Sequence, residues 1–183
     1  MAKAATPQTR LADAAFRLLA RQGWNELTLA SVARAAKVPL AVLQSLAPSK
    51  PALIGLMLAR ACAETARRYK PDRQSEGGRE RIFDVALTWF EVLNARKPAL
   101  RALFEGLRRD PLALLAARAE FLAAAEWLLA LAEADAGRAV SVRAAALAAI
   151  LVRAIPVWLD DDAEMTKTMA KLDAALTRAK WLF

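Results

Sequence analysis

Histidine is absent from this chain, and cysteine occurs once, as Cys62. Without imidazole there is no ordinary general base near neutral pH, no Ser-His-Asp or Cys-His nucleophile system, and no supply of the commonest metal ligand. A single cysteine permits no internal disulfide, so an oxidising compartment is not indicated. Cys62 reads as a small apolar residue on a helix. Glycine is scarce, at six residues, and aromatics make up 7% of the 183 residues. Strand-filling β-branched and aromatic residues are too few to build a sheet, while alanine, leucine and arginine dominate, so an all-α fold is expected. No nucleophile, base or metal constellation is visible. The chain is therefore expected not to be an enzyme and to need neither cofactor nor metal.

The opening stretch, MAKAATPQTR, has charge but no apolar run of the kind a secretory leader carries. The longest weakly charged run, residues 139–159, is interrupted by Arg143, Arg153 and Pro156, which suits a buried helix better than a membrane span. A cytoplasmic protein without a transmembrane segment is the expectation.

What the chain has in abundance is positive charge, and that charge is unevenly placed. The formal net charge is +8. Residues 1–70 hold eleven Lys/Arg against three acids, whereas the remainder holds sixteen of each. The whole excess therefore sits at the N-terminal end, the pattern of a polyanion-binding head on an electrically neutral body.

Leu11, Ala14, Ala15, Leu18 and Leu19 recur at the spacing of an amphipathic helix, which Gly23 ends. Thr28 is a good N-cap for a second helix over 29–36 that buries Leu29, Val32 and Ala33. After the short turn Lys37-Val38, Pro39 stands where the first turn of a third helix tolerates a missing N–H, and that helix runs to about Leu46. Ser49 caps a fourth, reaching about Tyr69. The polar, turn-rich stretch 71–78 is the best linker. Beyond it, helices are expected over 79–96, 99–109, 112–135, 141–159 and 163–182, punctuated by Pro98, Pro111, Gly137 and Asp160-Asp161-Asp162.

Residues 28–45 have the anatomy of a helix-turn-helix: a capped helix, a tight turn, and a short second helix able to enter a major groove. Over about 9–58, the residues Ala14-Ala15, Leu18, Gly23, Thr28, Val32-Ala33, Ala36, Val38, Leu43, Ser49-Lys50 and Leu53 resemble, in order and spacing, the N-terminal signature of the tetracycline-repressor family. The resemblance implies a three-helix DNA-binding head at 1–58 and a larger helical-bundle body for ligand binding and dimerisation at 59–183. It also implies a ligand-responsive regulator, acting as a repressor, that binds double-stranded DNA. Matching positions place Leu40, Ala41, Gln44 and Ser45 toward the bases, and Thr28, Arg34 and Lys50 toward phosphate. Gln44 has the chemistry to bond an adenine edge, and Leu40 or Ala41 to touch a thymine methyl. Three positions depart from the family pattern. Lys37 replaces the usual turn glycine, Gln44 an aromatic residue, and Ala47 a phenylalanine.

A second resemblance covers the C-terminal half. Arg143-Ala144, Leu147, Val157-Trp158-Leu159, Asp160 to Asp162, Thr168, Leu172-Asp173 and Leu176 are similar to a lipid-binding accessory family of ubiquinone biosynthesis, which has the same repressor-like fold and is associated with lipid binding rather than gene control. It supplies the alternative reading.

In the body, the large apolar residues mostly form core. The repressor resemblance implies a cavity there for an apolar small molecule or lipid, with Trp89, Phe104 and Trp127 as lining candidates. It further implies a homodimer through the last two helices, whose alanine-rich faces permit close approach. Pro156 should kink or end its helix. Asp161 and Asp162 are expected to cap the last helix rather than to hold a metal.

Overall fold

The computed structural model describes residues 5–71, 77–135 and 139–183. Most of the expected linker at 71–78, and the expected break at Gly137, lie outside the described residues. Within them the chain forms α1 (Pro7–Glu26), α2 (Leu29–Ala36), α3 (Leu40–Leu46), α4 (Ala52–Arg68), α5 (Gly78–Asn94), α6 (Lys97–Arg108), α7 (Pro111–Leu131), α8 (Val140–Leu159) and α9 (Thr166–Arg178). No strand occurs among the described residues.

The helices fall into two compact units. One comprises the described residues up to Arg60 together with Arg96–Glu120, and the other Ala61–Ala95 together with Phe121–Phe183. α6 and the first half of α7 thus group with the N-terminal helices, a partnership that sequence order alone does not suggest.

In the first unit, α1 buries Leu11, Ala14, Ala15, Phe16 and Leu19 on one face. Gly23, at φ 76° and ψ 179°, breaks the helical path where the sequence placed the stop, and Trp24 turns inward beyond it, only 2% exposed. α6 approaches so closely that a Cβ on Gly106 would lie inside the Trp24 side chain. Glycine is required there by that approach and not by its own φ. Asp13 on α1 pairs with Arg60 of α4 at 3.4 Å, while Arg96, just ahead of α6, lies over the Phe16 ring at 4.9 Å.

In the second unit, Trp89, Phe90 and Trp158 form an aromatic core. Phe90 meets Trp89 edge-on at 5.1 Å and Trp158 at 5.5 Å. The Trp158 indole donates to Asn94 Oδ1 at 2.8 Å, so the polar end of this ring is satisfied inside. α8 buries Ala144, Leu147, Ala148, Leu151, Ala154 and Ile155. Its length and hydropathy alone would fit a bilayer, but it packs along α9 as part of this core. Pro156 does not end α8, which continues to Leu159, because only the final turn follows it.

The last helix starts at Thr166, three residues later than the sequence suggests. Asp162 Oδ1 accepts from the amides of Glu164 and Met165, and Met165 adopts a left-handed conformation. Asp161 Oδ2 then takes both the amide and the hydroxyl of Thr168, each at 2.7 Å. These oxygens are engaged by the helix start, as befits caps.

Candidate nucleic-acid interface

α2 and α3 meet at 114°, with three residues between them, within the range of helix-turn-helix pairs. Thr28 begins the motif through a reciprocal capping box: Ser31 N–H donates to Thr28 Oγ1 at 3.1 Å, and Thr28 N–H donates to Ser31 Oγ at 3.2 Å. Val32, Ala33 and Ala36 turn inward and Arg34 outward.

The turn after α2 is a Schellman arrangement. Val38 N–H reaches back to the Ala33 carbonyl at 3.0 Å and Lys37 N–H to that of Arg34 at 3.1 Å, and Val38 is buried. Lys37 occupies the left-handed position, at φ 53° and ψ 45°, where glycine carries no Cβ penalty. A lysine there costs about 1 kcal/mol. Arg10 offsets this, since its Nη2 donates to the carbonyls of both Ala36 and Lys37. The motif is thereby fastened to α1 at the very turn where the sequence departs from the repressor pattern.

α3 has one deeply buried residue, Leu43. Leu40, Ala41, Gln44 and Ser45 form a contiguous exposed arc, with Leu40 51% exposed. The four expected base-facing residues are therefore brought together. Ser45 Oγ donates to the Val42 carbonyl at 2.9 Å, which commits its proton. Val42, 36% exposed at the edge of the arc, was not singled out from the sequence, where an isolated valine carries no such signal. Ala47 is fully buried, so no ring stands at the end of α3.

Lys50 is placed differently from the other expected phosphate contacts. Its ammonium lies over the Trp24 ring at 4.4 Å and donates to the Asn25 carbonyl at 3.4 Å. Burial lowers its pKa below the ordinary lysine value, opposed in part by Asp110 and Glu26. Arg34 and Lys37 instead stand exposed beside the motif.

Of the three expected ligand residues, Trp89 and Trp127 belong to the second unit and Phe104 to the first. Trp89 is 1% exposed in the second unit, Trp127 is 38% exposed on α7, and Phe104 is half-buried on α6 in the first unit. The Trp89 indole is buried beside the Cys62 thiol, with which it interacts. Cys62 is also buried, and its burial pushes the thiol up to about 12, so it is not a nucleophile near neutral pH.

No protein-family model matches the sequence. No curated protein matches it either. Solved structures do: the TetR transcriptional regulator of Nitrosomonas europaea is similar over 95% of this chain and 98% of its own, with 19% identity and a TM-score of 0.65. A TetR regulator from a Rhodococcus species matches over 93% of each chain, at 17% identity and a TM-score of 0.59. A Streptomyces coelicolor regulator of the same family matches over 96% of this chain and 79% of its own, at 18% identity and a TM-score of 0.54. The chain has the all-helical fold of the tetracycline-repressor regulators, as the sequence led us to expect.

Proposed function

We propose that this protein is a homodimeric DNA-binding transcriptional regulator, acting as a ligand-responsive repressor in the cytoplasm, with no catalytic activity. The observation that carries the reading is the exposed arc of Leu40, Ala41, Gln44 and Ser45 on the second of two helices crossing at 114°, set in the basic end of the chain. Gln44 reads an adenine edge, Leu40 and Ala41 contact apolar base edges, and Thr28, Arg34 and Lys37 hold phosphate. Lys50 contributes less, because reaching phosphate means leaving the Trp24 ring.

Residues 1–58 serve as the DNA-binding region and 59–183 as the ligand and dimerisation region, with Trp89 and Trp127 as ligand contacts and Phe104 a weaker candidate. Dimerisation is assigned to α8 and α9, where Val142, Ala145, Ala149 and Val152 form an exposed apolar stripe on α8 and Ala170 and Ala174 are exposed on α9. The repressor reading is preferred to the lipid-binding one because the similar folds cited above belong to regulators and Gln44 keeps a base-reading side chain.

Two substitutions on purified protein test this. Gln44→Ala should cost about 1 to 3 kcal/mol at one operator position and leave nonspecific duplex binding unchanged. Arg34→Ala should weaken all duplexes alike and lower the salt slope by roughly one unit. Should Gln44→Ala bind every duplex as the parent does while the protein carries extractable lipid, the lipid-binding reading replaces this one.

A further inference from the structure

α7 begins inside out. Over its first ten residues it buries Ala113 and Ala117 and exposes Leu112 (79%), Leu115 (66%) and Leu114 (49%). A helix serving only its own core turns its large apolar residues inward, because each leucine gains more from burial than an alanine. Ala116 and Ala119 complete the outward surface, and Arg118 is the only exposed charge on it. The leucines are exposed by the fold itself and not by a frayed end. Asp110 anchors the helix start, its Oδ1 accepting from Ala113 N–H at 3.0 Å and its Oδ2 from the Trp24 indole at 3.4 Å.

Positive charge predominates around the leucines. Arg108, which ends α6, and Arg109 beside it are exposed ahead of α7, as is Arg118 one turn beyond Leu114. Two of the nearby acids are turned away. The Asp110 carboxylate is engaged as described, and the Glu120 carboxylate occupies the space where a side chain on Gly55 would stand. Glu105, on α6, is the exposed acid that remains.

We propose that this corner of α6 and α7 docks on an anionic membrane surface, inserting Leu112 and Leu115 among the acyl chains while Arg108, Arg109 and Arg118 meet lipid phosphates. A convex helix start bearing protruding leucines suits shallow insertion into the headgroup boundary, and arginines reach outward past an apolar surface to the charged layer. A second copy fits this surface less well, because a self-contact would bring together three arginines from each copy with only one exposed acid, Glu105, to offset them. The inference does not rest on the DNA-binding reading, since none of these residues lies on α2 or α3.

The test is co-sedimentation of the full chain with vesicles of phosphatidylcholine and phosphatidylglycerol, and with vesicles of phosphatidylcholine alone. The parent should bind the mixed vesicles and barely bind the neutral ones. Leu112→Glu/Leu115→Glu lies on exposed positions and leaves the basic N-terminal helices intact, so its binding to mixed vesicles should fall at least tenfold while its helical circular dichroism stays that of the parent. Arg108→Gln/Arg109→Gln should bind mixed vesicles several-fold less and gain nothing on neutral ones. Equal binding by the parent and the leucine variant would overturn the proposal, since the rest of the positive charge would then account for the attachment. It would equally be overturned if the parent bound no vesicle; a change of oligomeric state in the leucine variant would then assign the surface to a second copy.

Discussion

The Arg10 guanidinium holds the carbonyl of Lys37, the residue in the left-handed position that turns α2 into α3. The same nitrogen takes the Ala36 carbonyl, so one side chain from α1 satisfies two orphan acceptors at the end of α2. Arg10→Ala should destabilise the protein by about 1 to 2 kcal/mol in urea unfolding. Lys37→Gly alone should stabilise by up to about 1 kcal/mol, since it removes a Cβ from the left-handed region. In the double variant the glycine should restore part of the loss. If Arg10→Ala unfolds at the parent's midpoint, the clamp contributes nothing and the turn stands without it.

The dimer assignment depends on which alanines of α8 face outward. Ala148 is 9% exposed and belongs to the core, while Ala149 is exposed. Ala149→Glu should therefore sediment as a folded monomer. Ala148→Glu buries a charge and should instead lower stability by several kcal/mol whatever the oligomeric state. A dimeric Ala149→Glu protein would move the interface off this face.

The start of α9 should make stability fall in acid. Burial of the Asp161 carboxyl opposes its ionisation, but hydrogen bonds from the Thr168 hydroxyl and amide and the Asp162 amide, with nearby Lys167, outweigh that and hold its pKa below the ordinary value. A depressed folded-state pKa contributes stability that is fully present above the unfolded value, about 3.9, and is lost as pH falls through the folded value. The advantage of the parent over Asp161→Asn should stay constant from about pH 5 to neutrality and shrink below about pH 4. Unfolding curves for both proteins across this range check it, and an advantage unchanged down to pH 2 would contradict the role given to Asp161.

Local signals marked the local structure well. Thr28, Lys37 and Pro39 delimit α2 and α3, and Pro98 and Pro111 lie in the first turns of α6 and α7, because caps and prolines act within a few residues of where they stand. The contacts that bind distant segments were not legible. Arg10 and Ala36 are 26 positions apart, and nothing in either identity announces their bond. Lys50 shows the same limit from the other side, since a lysine beside the motif reads as a phosphate contact until Trp24 is seen beneath it. α7 was illegible for a different reason. Alanines and leucines surround that helix, so no periodicity tells which of them faces inward, and the sequence carries no sign that Leu112, Leu114 and Leu115 are exposed. Trp89, Phe104 and Trp127 were grouped by aromatic character alone, a property blind to which unit each helix joins.

Selection of duplexes from a random pool by the purified parent protein tests the central claim most directly. A dimer presenting two copies of α3 should enrich a palindrome whose half-sites lie about one helical turn apart, or a multiple of it. A pool that shows no enriched sequence after repeated rounds, while still binding through salt-sensitive charge alone, would contradict sequence-specific recognition by the arc of Leu40, Ala41, Gln44 and Ser45.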